Sequence, residues 1–295
     1  MKLCSFITCF NPDIQKLSRN VSEILQYAEK VYLLVNTHES LSLNFEDSRI
    51  EKIENGKNIG LSAAFNIGMK KAVQEDFTDA ILFDQDSFLE KSAFELLCSE
   101  YKTARKKAKV ICIGSSLQVY GKTIPTPRWT LNKTDISFED VDSVKNIITS
   151  SMILNIQDAI SIGGFEEKFP VDFCDFVFCW KALYNGFFVL KSKNVYLKHE
   201  IGNKNISFGK ITVHFHAPYR NYFLVRDTLN IVFTQKETPF MIRVRYFFFL
   251  LPRMILFLIK CDRKKERMKM YYLGFKDFVL KKHGFGSISK LLQAE

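Results

Sequence analysis

With 295 residues, 47% of them hydrophobic and 25% charged, the chain has the apolar mass to bury a substantial core, which excludes a disordered, collagen-like or disulfide-stapled protein. Its formal charge is +10, but residues 241–295 hold 13 Lys/Arg against 4 Asp/Glu, so the first 240 residues are nearly neutral and a nucleic-acid surface spread over the fold is excluded. The seven cysteines form no C-x-x-C pair, and the first twelve residues lack the length of a secretory h-region, so a cytoplasmic location is expected.

Residues 3–10 are a short apolar run closed by the turn pair Asn11-Pro12, which predicts a buried strand. Next, Ile14, Leu17, Val21, Ile24, Leu25 and Ala28 recur at spacings of three and four and predict a helix with one buried face. Residues 31–35, VYLLV, are apolar throughout, as a strand covered by helices on both sides is. A loop punctuated by Gly56 and Gly60, a helix over about 62–75 and a strand over 80–83 follow, the last running into Asp84-Gln85-Asp86-Ser87. A helix over about 90–107 and a strand over 110–113 continue the alternation, which predicts an α/β fold on a doubly wound parallel sheet.

Residues 122–146, with Pro125 and Pro127, read as a long surface connection, and order returns over 147–154. Residues 160–181 combine a Gly163-Gly164 turn, an acidic loop and a helix-like run; strands over 187–190 and 195–197 lead to His199. Residues 240–259 are the most apolar stretch, but Arg243, Arg245, Pro252 and Arg253 interrupt it, so no bilayer-spanning helix is predicted. Followed by the basic run CDRKKERMK, it predicts a segment lying on an anionic membrane surface; the alternative is a buried C-terminal helix with a solvated basic end.

Asp84 and Asp86 stand at a strand end, and at i, i+2 of an extended chain two carboxylates point to one side, where they can share a cation. Open α/β sheets bind ligands beyond the carboxyl ends of their strands, so this oxygen pair suits Mg²⁺ or Mn²⁺ carrying a phosphate-bearing substrate. Gly60 and the small residues at 62–64 allow backbone to approach a nucleotide, and Asn58 and Asn66 offer amide hydrogen bonds to base or ribose. The string Phe83-Asp84-Gln85-Asp86-Ser87 also fits the strand end of haloacid-dehalogenase-like phosphatases, in which the first Asp is a nucleophile.

Taken in order, Thr8-x-Phe10-Asn11-Pro12, Asn58-x-Gly60-Leu61-Ser62-Ala63-Ala64-x-Asn66-x-Gly68, Asp84-Gln85-Asp86-Ser87, and Gly163-Gly164-Phe165-Glu166-Glu167 with Asp172-x-x-Asp175 resemble the inverting glycosyltransferases of family 2, over roughly residues 3–230. With His216-x-Pro218-x-Arg220-x-Tyr222-Phe223-x-x-Arg226, the DQDS form looks most like bacterial rhamnosyltransferases that build O-antigen or other surface polysaccharides. The resemblance implies a GT-A fold over 1–230 with a helical, basic, apolar appendage over 231–295. It implies a dTDP-L-rhamnose donor, and the apolar, basic tail adds the expectation of a polyprenyl-diphosphate-linked glycan acceptor at the inner face of the cytoplasmic membrane.

By the same resemblance Thr8, Phe10, Asn11, Asn36, Asn58, Gly60, Ala63, Asn66, Asp84 and Gln85 contact the nucleotide-sugar. Asp86, with Asp84 and His199, holds the metal, and Asp175 is the base that takes the acceptor's proton, with Asp172, one helical turn away, in reserve. His216, Arg220 and Arg226 contact the acceptor or a diphosphate. The chain departs from the family at Asn36-Thr37, where Asp-Asn is usual, at Val177, where an acidic residue is usual, and at Lys181, where Arg is usual. A subunit that binds nucleotide-sugar without turning it over is therefore a further alternative.

Overall fold

The computed structural model describes residues 1–38, 41, 45–119, 122–136, 138–198, 205–208, 211–214 and 216–293, with 119, 198, 205–208, 211–214 and 293 described by backbone alone. The chain divides into two compact units, Met1–Glu166 with Cys174–His199, and Glu167–Phe173 with Glu200–Glu295.

In the first unit β1 (Leu3–Cys9) is buried at all seven positions because it lies between two parallel neighbours, β2 (Lys30–Val35) and β4 (Asp79–Asp84). Between β1 and β2, α1 (Ile14–Ile24) starts at Asp13, whose carboxylate accepts from the Gln15 and Lys16 N–H groups at 3.0 and 3.1 Å, and buries Leu17, Val21 and Ile24 on one face. β3 (Ile50–Glu54) forms the outer edge and α2 (Leu61–Gln74) leads back to β4. Next come α3 (Lys91–Lys107), β5 (Val110–Val119), the two-residue β6 (Lys122–Thr123) paired with β5, β7 (Val141–Ser143) and β8 (Met152–Asn155). The short α4 (Ile156–Ser161), α5 (Cys174–Tyr184) and β9 (Phe188–Lys198) complete the unit.

The sheet order is β3-β2-β1-β4-β8-β5-β9-β7. Strand alternation sends Ile7, Leu33 and Ile81 to one buried layer and Phe6, Leu34 and Leu82 to the other, so the sheet is covered on both faces. The sheet is mostly parallel, as the GT-A expectation has it, and within it β8 runs antiparallel to both β4 and β5. The lead-in to β8, residues 149–151, therefore sits beside the carboxyl end of β4, where Ser151 N–H donates to the Leu82 carbonyl at 2.8 Å. β3 was not foreseen, and the two strands expected over 187–197 are one bulged strand paired with β5.

In the second unit a hairpin of β10 (Asn205–Phe208) and β11 (Ile211–His214) precedes α6 (Arg220–Phe233), α7 (Phe240–Lys260), α8 (Lys264–Val279) and the short α9 (Ser289–Gln293). α6 and α8 pack closely because Gly274 carries no side chain: a Cβ there would lie 2.5 Å from the Tyr222 carbonyl. The boundary expected at residue 230 falls inside α6, which lies wholly in this unit. Among the described residues no helix is long and apolar enough to cross a membrane.

Candidate active site at the carboxyl edge of the sheet

Three segments of the first unit converge on the carboxyl ends of β1 and β4. Thr8 pairs with Asp84 in the parallel register, which sets Phe10 and Asn11 beside the DQDS segment. That segment is a turn and not extended chain: β4 ends at Asp84, and Ser87 N–H donates to the Asp84 carbonyl at 3.1 Å. The alternation argument for Asp84 and Asp86 therefore does not apply, and the turn is what places both at the sheet edge. Asp86 is exposed, with the Ser87 hydroxyl 3.4 Å from Oδ1. Asp84 is half-buried, its N–H 3.5 Å from the Ser150 hydroxyl.

Gln85 is the strut of this corner. Its Oε1 accepts from Phe10 N–H at 2.7 Å, and its carbonyl accepts from Nδ2 of the buried Asn20 on α1 at 3.0 Å. Asn11 adopts a left-handed conformation at φ 45°, which an asparagine tolerates, and Phe10 is left exposed. Asn20 carried no sequence motif; only its polarity on the apolar face of a helix could have singled it out.

The asparagines around α2 hold backbone. Buried Asn36 donates from Nδ2 to the Gly60 carbonyl at 3.3 Å and accepts from Asn55 Nδ2 at 2.9 Å. Asn58 Oδ1 accepts from Gly60 N–H at 3.0 Å, and Gly60 takes φ 86°, ψ 166°, a conformation open essentially to glycine alone. Ala63 lies half-buried in the first turn of the helix. Asn66 spends its amide elsewhere: Nδ2 donates to the Phe165 carbonyl and Oδ1 accepts from Phe165 N–H, each at 2.9 Å. Asn66 is thereby a clasp on the loop that leads toward Asp175.

Lys181 closes that clasp from α5, its ammonium donating to the carbonyls of Gly163 and Gly164, both at 3.1 Å. Gly164 is left-handed at φ 62°, and a Cβ on it would lie 2.5 Å from Asn66 Oδ1. Asp175 stands in the first turn of α5, half-buried, its Oδ1 accepting from Phe176 N–H at 2.8 Å. Val177, in the acidic position of the family, is fully buried.

Within the second unit Asp172 lies ahead of α5, not one turn away upon it, because Phe173 takes a left-handed φ of 66° before the helix begins. Its carboxylate forms an ion pair with the Arg220 guanidinium. His216 is exposed, and its carbonyl accepts from Arg267 at 3.2 Å. Arg226 is a correction: it is 0% exposed, and it donates to Asp227 at 2.7 Å, to Tyr222 Oη at 3.0 Å and to the carbonyls of Gly284 and Lys168. An arginine so enclosed is occupied in organising its own unit. Burial pushes the Asp227 carboxyl up to about 7 despite the adjoining Arg226 charge.

His199 lies outside the described residues. Among those described, no three His, Cys, Asp or Glu side chains gather as a cation site. The exposed carboxylate of Asp86, with Asp84 at the same sheet edge, nevertheless fits Mg²⁺ or Mn²⁺. Such ions are commonly held by one or two protein carboxylates, with water and substrate phosphate completing the shell.

Comparison with known proteins follows the same lines. The chain is 23% identical over 278 residues to the dTDP-rhamnosyl transferase RfbF of Shigella flexneri, covering 92% of this chain and 93% of that protein. Among solved structures, GalNAc-T7 with UDP, GalNAc and Mn²⁺ superposes with a TM-score of 0.59 at 13% identity, over 95% of this chain and 57% of that one. Staphylococcus aureus TarS 1-349 with UDP-GlcNAc superposes with a TM-score of 0.56 at 13% identity, over 95% and 81%. The fold is GT-A. No protein-family profile matches the chain.

Proposed function

We propose that the protein is an inverting glycosyltransferase that moves L-rhamnose from dTDP-L-rhamnose to a polyprenyl-diphosphate-linked glycan in the assembly of a surface polysaccharide such as O-antigen. One conjunction carries this reading: the DQDS turn stands at the carboxyl edge of a GT-A sheet, in a chain whose Shigella relative, aligned over nearly its full length, is a dTDP-rhamnosyl transferase.

In this reading Phe10, Asn11 and the turn before α2 form the donor's nucleotide site, with Gln85 setting the distance between β1 and the DQDS turn. Asp86 and Asp84 would hold a divalent cation, which supplies positive charge where the leaving diphosphate gains negative charge. Asp175 takes the proton from the acceptor hydroxyl as that oxygen attacks the anomeric carbon opposite the leaving group, which inverts its configuration. Asp172, committed to Arg220, orders its own loop and is the poorer candidate for base.

The test is a panel of nucleotide-sugars incubated with the protein and Mg²⁺ or Mn²⁺, scored for released nucleoside diphosphate. dTDP-L-rhamnose should give the fastest release and a lipid-diphosphate acceptor should raise it. Release only from a UDP-sugar would reassign the donor, and donor binding without release would favour the non-catalytic alternative. The phosphatase alternative loses ground because its motif belongs near the start of a domain, whereas the DQDS turn follows the fourth strand.

A further inference from the structure

The last two long helices are apolar on the side that faces away from their own unit. On α7, Ile242 and Phe257 are buried, while Phe247, Phe248, Leu251, Ile255 and Ile259 are 47–66% exposed, the last four recurring every three or four residues as one stripe. α8 repeats the pattern: Met268, Tyr272, Phe275 and Val279 are 54–63% exposed. Phe233 at the end of α6, itself 58% exposed, lies between the two helices, its ring 6.2 Å from Phe247 of α7 and 6.0 Å from Phe278 of α8.

Cations border this surface. Arg245 and Arg253 lay their guanidinium groups over the rings of Phe249 and Phe257 at 4.8 and 5.5 Å, and Lys264, Lys265, Lys269 and Lys276 flank the α8 stripe, all exposed. Exposed apolar stripes of this length on a folded surface mark a contact. A second copy is a poor occupant, since residues 241–295 carry a net +9 and pairing them would bring like charge together. Neither helix is apolar enough to span a bilayer, and α7 contains Pro252. Aromatic and aliphatic side chains edged by Lys and Arg match a segment seated at the headgroup–acyl boundary.

We propose that the outward faces of α7 and α8 dock on an anionic bilayer, α7 lying along its plane with the stripe from Phe248 to Ile259 among the acyl chains and the flanking cations among the headgroups. This proposal does not depend on the proposed chemistry.

The test is flotation of the full chain with vesicles of phosphatidylcholine alone or with about a third phosphatidylglycerol. Binding should be at least about tenfold stronger to the anionic vesicles and weakened by added salt. The triple variant Phe248→Ser/Leu251→Ser/Ile255→Ser should lose about tenfold or more while keeping the wild-type circular dichroism and melting midpoint, because these side chains contribute little to the core. Lys264→Glu/Lys265→Glu/Lys269→Glu should erase the preference for anionic lipid. No flotation with either vesicle, equal flotation with both, or undiminished binding of the serine variant would overturn the proposal. A wild-type dimer that the serine substitutions convert to monomer would instead assign the surface to a second copy.

Discussion

Asn66 and Phe165, 99 residues apart in sequence, exchange two backbone-to-amide hydrogen bonds of 2.9 Å, and Lys181 binds the carbonyls of the two preceding glycines. The turn from Gly163 to Phe165 is thus held by α2 on one side and α5 on the other, immediately ahead of the loop that leads to Asp175.

Asn66→Leu leaves a peptide N–H and a carbonyl of Phe165 without their partners, at a cost of about 1–3 kcal/mol. A lower melting midpoint is expected, together with a reduced turnover at nearly unchanged donor KM, since the loop and not the nucleotide site is disturbed. Gly164→Ala should behave alike, through its positive φ and the 2.5 Å approach of a Cβ to Asn66 Oδ1. A selective rise in donor KM in Asn66→Leu would return the residue to the nucleotide.

Asp175→Asn keeps the shape of the side chain and removes its capacity to accept a proton. Sugar transfer should fall by about 10²–10⁴ while calorimetric donor binding is retained. Asp172→Asn should instead act through its ion pair with Arg220, lowering stability more than rate. The opposite ranking of the two variants would move the base to Asp172.

Asp86→Ala and excess chelator should each abolish donor-dependent release, and Mn²⁺ or Mg²⁺ should restore only the chelated wild type. Full activity of the wild type in excess chelator would remove Asp86 from the role of metal ligand.

The buried pair in α6 makes a prediction about pH. A carboxyl whose folded pKa of about 7 exceeds its unfolded value binds more protons in the native state, so its contribution to stability is fullest in acid and is lost as pH rises from about 4 to about 7. The melting midpoint of wild type relative to Asp227→Asn should therefore fall across that interval. Arg226→Met, which leaves Asp227 buried without its counter-charge, should cost about 3–5 kcal/mol at neutral pH. A pH-independent difference between wild type and Asp227→Asn would show that both states hold the proton equally.

The strands β1, β2 and β4 were legible because a strand buried on both faces is a plain apolar run. β3 was not, since IEKIE is a half-buried edge whose Glu51 is held with Glu75 by Lys30 and Lys71, contacts made between distant segments. The direction of β8 was hidden for a related reason: MILN reads the same whichever way the neighbours run. In the candidate site, residue type located the DQDS turn and the Gly60 turn, but not the work of Asn66 or Arg226. An amide or a guanidinium suits a ligand and a buried carbonyl equally well, and only the fold decides which one lies within reach.

Because β8 is inverted, its entry and not its exit reaches the proposed donor edge, bringing Ser150 and Ser151 beside the final residues of β4. The stretch between β5 and β8 is thereby tethered at its downstream end to the carboxyl edge of β4. Insertions in the stretch between β6 and β7 would then be felt near Asp84 without altering a single residue of the proposed donor site, which offers a way to retune selectivity while leaving the sheet in place.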